Sequence, residues 1–172
     1  ETVSIVADEV IDLHRQLVPY GYDEINVNLG CPSGTVVSKK RGSGILAYPD
    51  MLDSFLDELY TKADFPVSIK TRVGFNDDEL WPRLIEIYSK YPISELTVHP
   101  RVQKDFYKNT PRMDDFALAM QKINPDKTTL CYNGDITDTN SFNALTDCFP
   151  DIDEIMIGRG LFANPALIAE LK

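Results

Sequence analysis

The chain has 172 residues, 43% of them hydrophobic and 26% charged, with a formal net charge of −10. That length suffices for one domain with a proper core, and no apolar run approaches the ~18 residues of a membrane span. The acidic balance argues against gripping nucleic acid by bulk electrostatics; three widely spaced cysteines without a C-x-x-C pair or a Cys/His cluster argue against a disulfide framework or a metal site, and fit a cytoplasmic setting.

The first residues, Glu1–Val10, carry no basic stretch ahead of an apolar one and do not read as a secretory signal. Their spacing predicts an amphipathic helix over Val3–Leu17, ended by Pro19 and Gly21. Glu24–Leu29 alternates, with Ile25, Val27 and Leu29 on one face and Glu24, Asn26 and Asn28 on the other, which is the pattern of a strand. It runs into Gly30-Cys31-Pro32 and then a basic, glycine-rich loop that holds Lys39, Lys40 and Arg41. Further strands are predicted at Pro66–Thr71, Glu95–His99, Thr129–Asn133 and Glu154–Gly158. Helical patterns begin near Asp50, Asp77, Asp114, Asp138 and Pro165. Acidic first turns suit the helix dipole, and Asp50 with Asp53, and Asp138 ahead of Ser141, are candidate N-caps. Strands alternating with helices predict a parallel sheet with right-handed crossovers.

The two faces of these strands separate two kinds of parallel sheet. Strands covered by helices on both sides read as continuous apolar runs. Here Val67 and Ile69 oppose Ser68 and Lys70, Leu96 and Val98 oppose Thr97 and His99, and Leu130 and Tyr132 oppose Cys131 and Asn133. One face is apolar, and the other grows more polar toward the C-terminal strand ends. A barrel whose upper interior receives a polar ligand needs that arrangement. The expected fold is therefore α/β, a partial (β/α)8 TIM barrel of about five strands whose first three are missing, in a chain that starts on a helix. The competing fold is a complete five-stranded doubly wound sheet.

Asn28, Lys70, His99 and Asn133 fall at the inner ends of four strands. Asn133-Gly134-Asp135 and Gly158-Arg159-Gly160 follow the last two, where glycines let backbone N–H groups approach an anion. Arg159 adds a charge-assisted donor. Cys31 reads either as a reactive thiol at the catalytic edge or as a buried one in a turn, and Lys39, Lys40 and Arg41 either as a solvated face or as contacts to phosphates. Cys131 and Cys148 read as core residues and His14 as a surface residue. Trp81, Leu84, Ile85 and Tyr88 recur at helical spacing and read as packing.

Five segments, taken in order, resemble the tRNA-dihydrouridine synthases, flavin enzymes with a TIM-barrel catalytic domain. They are Asn28-Leu29-Gly30-Cys31-Pro32, Ser68-Ile69-Lys70-Thr71-Arg72, Thr97-Val98-His99-Pro100-Arg101, Asn133-Gly134-Asp135-Ile136 and Met156-Ile157-Gly158-Arg159-Gly160. The family more often has glycine where Pro100 stands, and a small residue then leucine where Gly44-Ile45 stand.

The resemblance implies FMN as cofactor, NADPH or NADH as reductant, and tRNA as the partner of the full-length enzyme. It implies that Cys31 protonates C5 of a uracil whose C6 receives hydride, a task suited to a thiol, which is largely protonated at neutral pH yet able to give up its proton. It puts Lys70 beside the flavin, where a fixed cation stabilises the reduced ring's charge. His99, Asn133, Gly134, Asp135, Gly158 and Arg159 become further cofactor contacts. Asn28, Lys39, Lys40, Arg41, Arg72, Arg101 and Tyr107 become candidates for the substrate mouth. In the family the first strands and a C-terminal helical domain supply more of the flavin and tRNA surfaces. Neither is expected within these residues, so the segment alone is expected to be inactive. The alternatives are a related dihydropyrimidine or dihydroorotate dehydrogenase, and a non-enzymatic partial barrel that binds only the FMN phosphate.

Overall fold

Strand order in the sheet is the same as chain order. β1 (Ile25–Leu29), β2 (Val67–Gly74), β3 (Glu95–Val102), β4 (Thr129–Asn133) and β5 (Glu154–Met156) lie side by side and parallel in a computed structural model that describes residues 1–171. The elements between them are α1 (Ala7–Leu17) before β1, then α2 (Gly34–Val37), a 3-10 turn (Gly42–Ala47) and α3 (Pro49–Lys62). There follow α4 (Trp81–Tyr88), α5 (Met113–Lys122), α6 (Thr139–Cys148), α7 (Arg159–Ala163) and α8 (Leu167–Glu170). A doubly wound sheet reverses its strand order at a switch point, whereas a barrel adds strands in sequence. The fold is α/β and follows the second pattern, that of a partial TIM barrel.

The apolar face forms the core. Ile25, Val27 and Leu29 of β1, Val67 and Ile69 of β2, and Leu96 and Val98 of β3 are buried together with Leu52, Leu56 and Leu59 of α3 and Phe116 of α5. Trp81, Leu84, Ile85 and Tyr88 of α4 are wholly buried in the same core, as their spacing predicts. Each such side chain contributes about 1.5–3 kcal/mol by leaving water. Thr71 lies among them because its hydroxyl meets that of Tyr88 at 3.0 Å, which satisfies both groups.

The register collects the polar residues on the other face. Asn28 stands opposite Lys70, Lys70 opposite Thr97, Arg72 opposite His99, and Asn133 opposite Met156. Near the N-terminal ends, Asn26 donates to Ser68 Oγ at 3.0 Å, and that hydroxyl donates to Glu24 at 2.6 Å.

Several expectations are corrected. The first helix begins at Ala7 rather than Val3, because Thr2 is held in parallel pairing with β1. Its N–H bonds Asn26 O at 2.9 Å and its C=O accepts from Asn28 N at 2.7 Å, so the described chain opens on an extended segment. The helix expected near Asp77 begins at Trp81, after a turn in which Trp81 N–H bonds Asp78 O at 2.8 Å. Asp50 lies inside the first turn of α3 and pairs with Arg83 instead of capping, and Asp53 bonds Lys90 and Tyr91. The pattern near Pro165 belongs to two short helices, α7 and α8. β2 and β3 run on to Gly74 and Val102, and β5 stops at Met156. Cys148 is exposed at the end of α6, where only Leu145 is buried. His14 is half-buried, stacked on Phe65 with ring centroids 3.6 Å apart. Among the described residues no helix is long and apolar enough to cross a membrane.

Candidate functional site

The loop after β1 is folded tightly around Cys31. Gly42 takes φ +53°, and a Cβ there would lie 2.8 Å from Cys31 O, so only glycine lets the chain pass so close. The next residue, Ser43, donates to that same oxygen from its N–H at 3.0 Å and its hydroxyl at 2.8 Å. The Cys31 backbone is thus fixed and its side chain is half-buried. Lys39 and Lys40 are exposed, with the Lys40 ammonium 4.4 Å from the centre of the Tyr48 ring. Arg41 turns back to pair with Glu9 at 3.1 Å. Asn28 holds the turn from its own side, its Oδ1 accepting from Gly30 N at 2.9 Å.

Two arginines at the ends of β2 and β3 are buried, at 2% and 1% exposure, and both spend their donors on the protein. Arg72 reaches the carbonyls of Gly30, Val102 and Phe106, each at 3.0 Å. Arg101 forms a bidentate pair with Asp135 in the loop after β4, bonds Asn109 O at 2.5 Å, and sets Nη1 3.1 Å from His99 Nε2. The sequence reading expected both guanidiniums at the substrate mouth; they lie instead buried beneath the strand-end loops, which they stitch together. Tyr107, half-exposed above them, has Arg72 5.7 Å and Arg159 4.5 Å from its ring centre, and it stacks on His99.

A cavity of about 340 Å³ opens between the last two glycine loops, lined in part by Lys70, His99, Asn133, Gly134, Gly158 and Arg159. A Cβ on Gly134 would meet Tyr132 Oη at 2.4 Å, and one on Gly160 would meet Ile136 O at 2.2 Å, so both loops rely on missing side chains. Gly158, by contrast, faces open space. Asn133 joins the two loops by donating to Met156 O at 2.9 Å. Asp135 directs its carboxylate to Arg101 and Arg159, and the hydrogen bonds from Arg101 and the charges of both arginines hold it below the usual carboxylate range.

Among the residues lining this cavity, Lys70 and Arg159 are cationic and Asp135 is anionic. Lys70 has no hydrogen-bonding partner among the described residues; burial, with Arg72 nearby, lowers its pKa. Cys31 lies close enough to Lys70 and Arg72 for a charge on its sulfur to be felt by both. His99 is pushed down to about 3 by burial and by Arg72, Lys70 and Arg101. Cys131, on the same face but deeper, is pushed up to about 12 by burial and by Glu95, which suits an inert thiol. A half-buried ammonium without a partner among the described residues, beside a neutral imidazole and the open Gly158, suits an anionic ligand.

Of the segment 103–112, which covers these strand ends, the sequence reading had singled out Tyr107 alone. Asp105, 6% exposed, anchors it by accepting from Val102 N at 3.1 Å and from the side chains of Asn109 and Arg112. Gln103 bonds Pro32 O at 3.1 Å and so ties the segment to the Cys31 loop. The pairing of Asp105 with Arg112 is a tertiary contact across a stretch that has no period, so nothing in the local sequence announces it.

The dihydrouridine synthase (Dus) family model matches residues 8–172. A Staphylococcus aureus protein named probable tRNA-dihydrouridine synthase is 34% identical over 154 residues, 87% of this chain and 46% of its own length. The proteins named tRNA-dihydrouridine synthase B from Pasteurella multocida and Escherichia coli K12 are each 30% identical. They cover 96% and 95% of the chain, and 49% and 50% of their own lengths. The chain spans about half the length of the curated relatives it matches.

Proposed function

The chain belongs to the dihydrouridine synthase family, and from that premise we propose that the protein carrying it reduces uridine in tRNA to 5,6-dihydrouridine. The cofactor is FMN, renewed by NADPH or NADH, and Cys31 is the proton donor. What carries this reading is Lys70: an ammonium without a partner among the described residues, facing a cavity between two glycine loops, one strand away from a thiol whose backbone is fixed.

Reduced FMN, when bound, supplies a hydride to C6 of the pyrimidine. Cys31 gives its thiol proton to C5, and Lys70 and Arg72 oppose the negative charge left on sulfur. Gly134, Gly158 and Arg159 would hold the cofactor phosphate, while Lys70, His99 and Asn133 would orient the ring. Asp135 serves this cofactor site through Arg101 and Arg159. On the substrate side, Tyr107 and Asn28 line the approach to the base, and Lys39 and Lys40 offer exposed charges to RNA phosphates, which position without specifying. Arg41, Arg72 and Arg101 support that mouth from below. Further flavin contacts and the helical tRNA-binding domain belong, on this reading, to the part of the protein outside these residues, and turnover belongs to the whole.

The test is Cys31→Ala in the full-length protein. Dihydrouridine in tRNA, measured by nucleoside analysis, should be lost while NADPH oxidation by the flavin persists. Undiminished dihydrouridine would overturn the role of Cys31. A deletion strain with unchanged tRNA but altered free pyrimidines would point to a dihydropyrimidine or dihydroorotate dehydrogenase instead.

A further inference from the structure

We propose that Arg101 is a positioning residue that locks His99 as the neutral tautomer protonated on Nδ1, with Asp135 clamping Arg101 in place. A guanidinium has donors and no acceptor. With Arg101 Nη1 3.1 Å from His99 Nε2, that ring nitrogen has to accept, and it therefore carries no proton. An imidazolium would turn donor against donor. Arg101 has no freedom to withdraw: it is 1% exposed, bonded twice to Asp135 and once to Asn109 O.

The cations facing His99 act in the same direction. Lys70 and Arg72 come from β2, Arg101 from its own strand, and the uncharged Tyr107 ring stacks at 6.2 Å between centroids. Asp135, from the loop after β4, is the one anion that favours charging the ring, and its oxygens are already shared between Arg101 and Arg159. Burial and the three cations together hold the imidazole near 3, so it stays neutral at physiological pH. The ring is then left with a single donor, Nδ1–H, and no acidic proton. His99 serves as a neutral hydrogen-bond donor and leaves proton transfer to Cys31.

What that donor is for rests on the flavin reading; the tautomer does not. The experiment is nitrogen NMR of the full-length protein labelled selectively at histidine, with and without added FMN, the His99 signals being identified by their loss in His99→Gln. The expected result is an Nδ1–H pattern that persists without protonation down to about pH 5, well below the ordinary histidine value of ~6.5. In Arg101→Met the ring should move to Nε2–H or titrate near that ordinary value, and Arg101→Lys should restore the lock in part. If Arg101→Met fails to fold, Asp135→Asn, which weakens the clamp, should shift the tautomer balance in the same direction. A wild-type His99 that is protonated on Nε2, or that titrates normally, overturns the proposal. A locked Nδ1–H ring whose signals ignore FMN upholds the lock and counts against the flavin reading alone.

Discussion

Arg72 donates to carbonyls in three separate segments, at Gly30, Val102 and Phe106, and it is almost fully buried. A charged donor of this kind contributes more when lost than when counted, because the abandoned carbonyls of Gly30 and Val102 stay buried. Arg72→Lys keeps the charge but cannot span three acceptors. We expect it to lower stability by ~3 kcal/mol in urea unfolding; a change within error would mean that water satisfies those carbonyls. Cys31 and His99 depend on the same scaffold, since Gly30 adjoins one and Val102 closes the strand that bears the other. Nothing at the residue scale announced this, because the acceptors lie 42, 30 and 34 positions from Arg72 and are backbone atoms. An arginine after Lys70-Thr71 reads equally well as a loop residue. The positions of Lys70 and His99 were legible, by contrast, because alternation alone fixes their face.

At the scale of elements, the strands were read well where apolar and polar residues alternate. They were cut short where buried arginines continue the alternation. Helix starts fared less evenly. Asp138 caps α6 as read, accepting from Ser141 N at 2.7 Å while Ser141 Oγ bonds back to Asp138 N at 3.1 Å. Asp138→Ala should cost about 1 kcal/mol by thermal or urea unfolding, with the site geometry unchanged; no loss would show that water replaces the cap. Asp77 and Asp78 imitate an acidic first turn, but they lie in a turn that only leads to Trp81. Trp81 begins the helix there because its indole N–H must reach Asp115 O, 2.8 Å away on α5. That is a tertiary requirement with no trace in local sequence.

For the molecule as a whole, the carboxylates set the response to pH. Asp135 is held low chiefly by hydrogen bonds from Arg101; burial raises Asp105, but its bonds from Arg112, Asn109 and Val102 N–H outweigh that. A carboxylate with a depressed folded-state pKa stabilises above its unfolded value of ~3.9, and that stability is lost as acid titrates the folded form. Asp115 does the opposite. Burial, with Asp78 beside it, raises it to about 6, and its Oδ2 is buried without a hydrogen-bond partner among the described residues. The unfolded chain gives up that proton first, so Asp115 subtracts stability progressively between about pH 4 and 6 and keeps subtracting above. Asp115→Asn should flatten that decline and raise the melting temperature at neutral pH. Thermal unfolding followed across pH tests this, and an unchanged slope would rule out Asp115 as its source.

Because neighbours in the sheet are neighbours in the chain, every ligand-facing loop leaves its strand at one rim and every return connection closes at the other. The turn from Asn124 to Thr128 and the one from Phe149 to Asp153 lie at that far rim, remote from Cys31, Lys70 and Arg159. Insertions, affinity tags or fluorescent reporters placed there should leave the chemistry undisturbed. The near rim has no such latitude: there an added residue displaces the carbonyl of Cys31 from Ser43 or the guanidinium of Arg72 from Gly30 and Phe106.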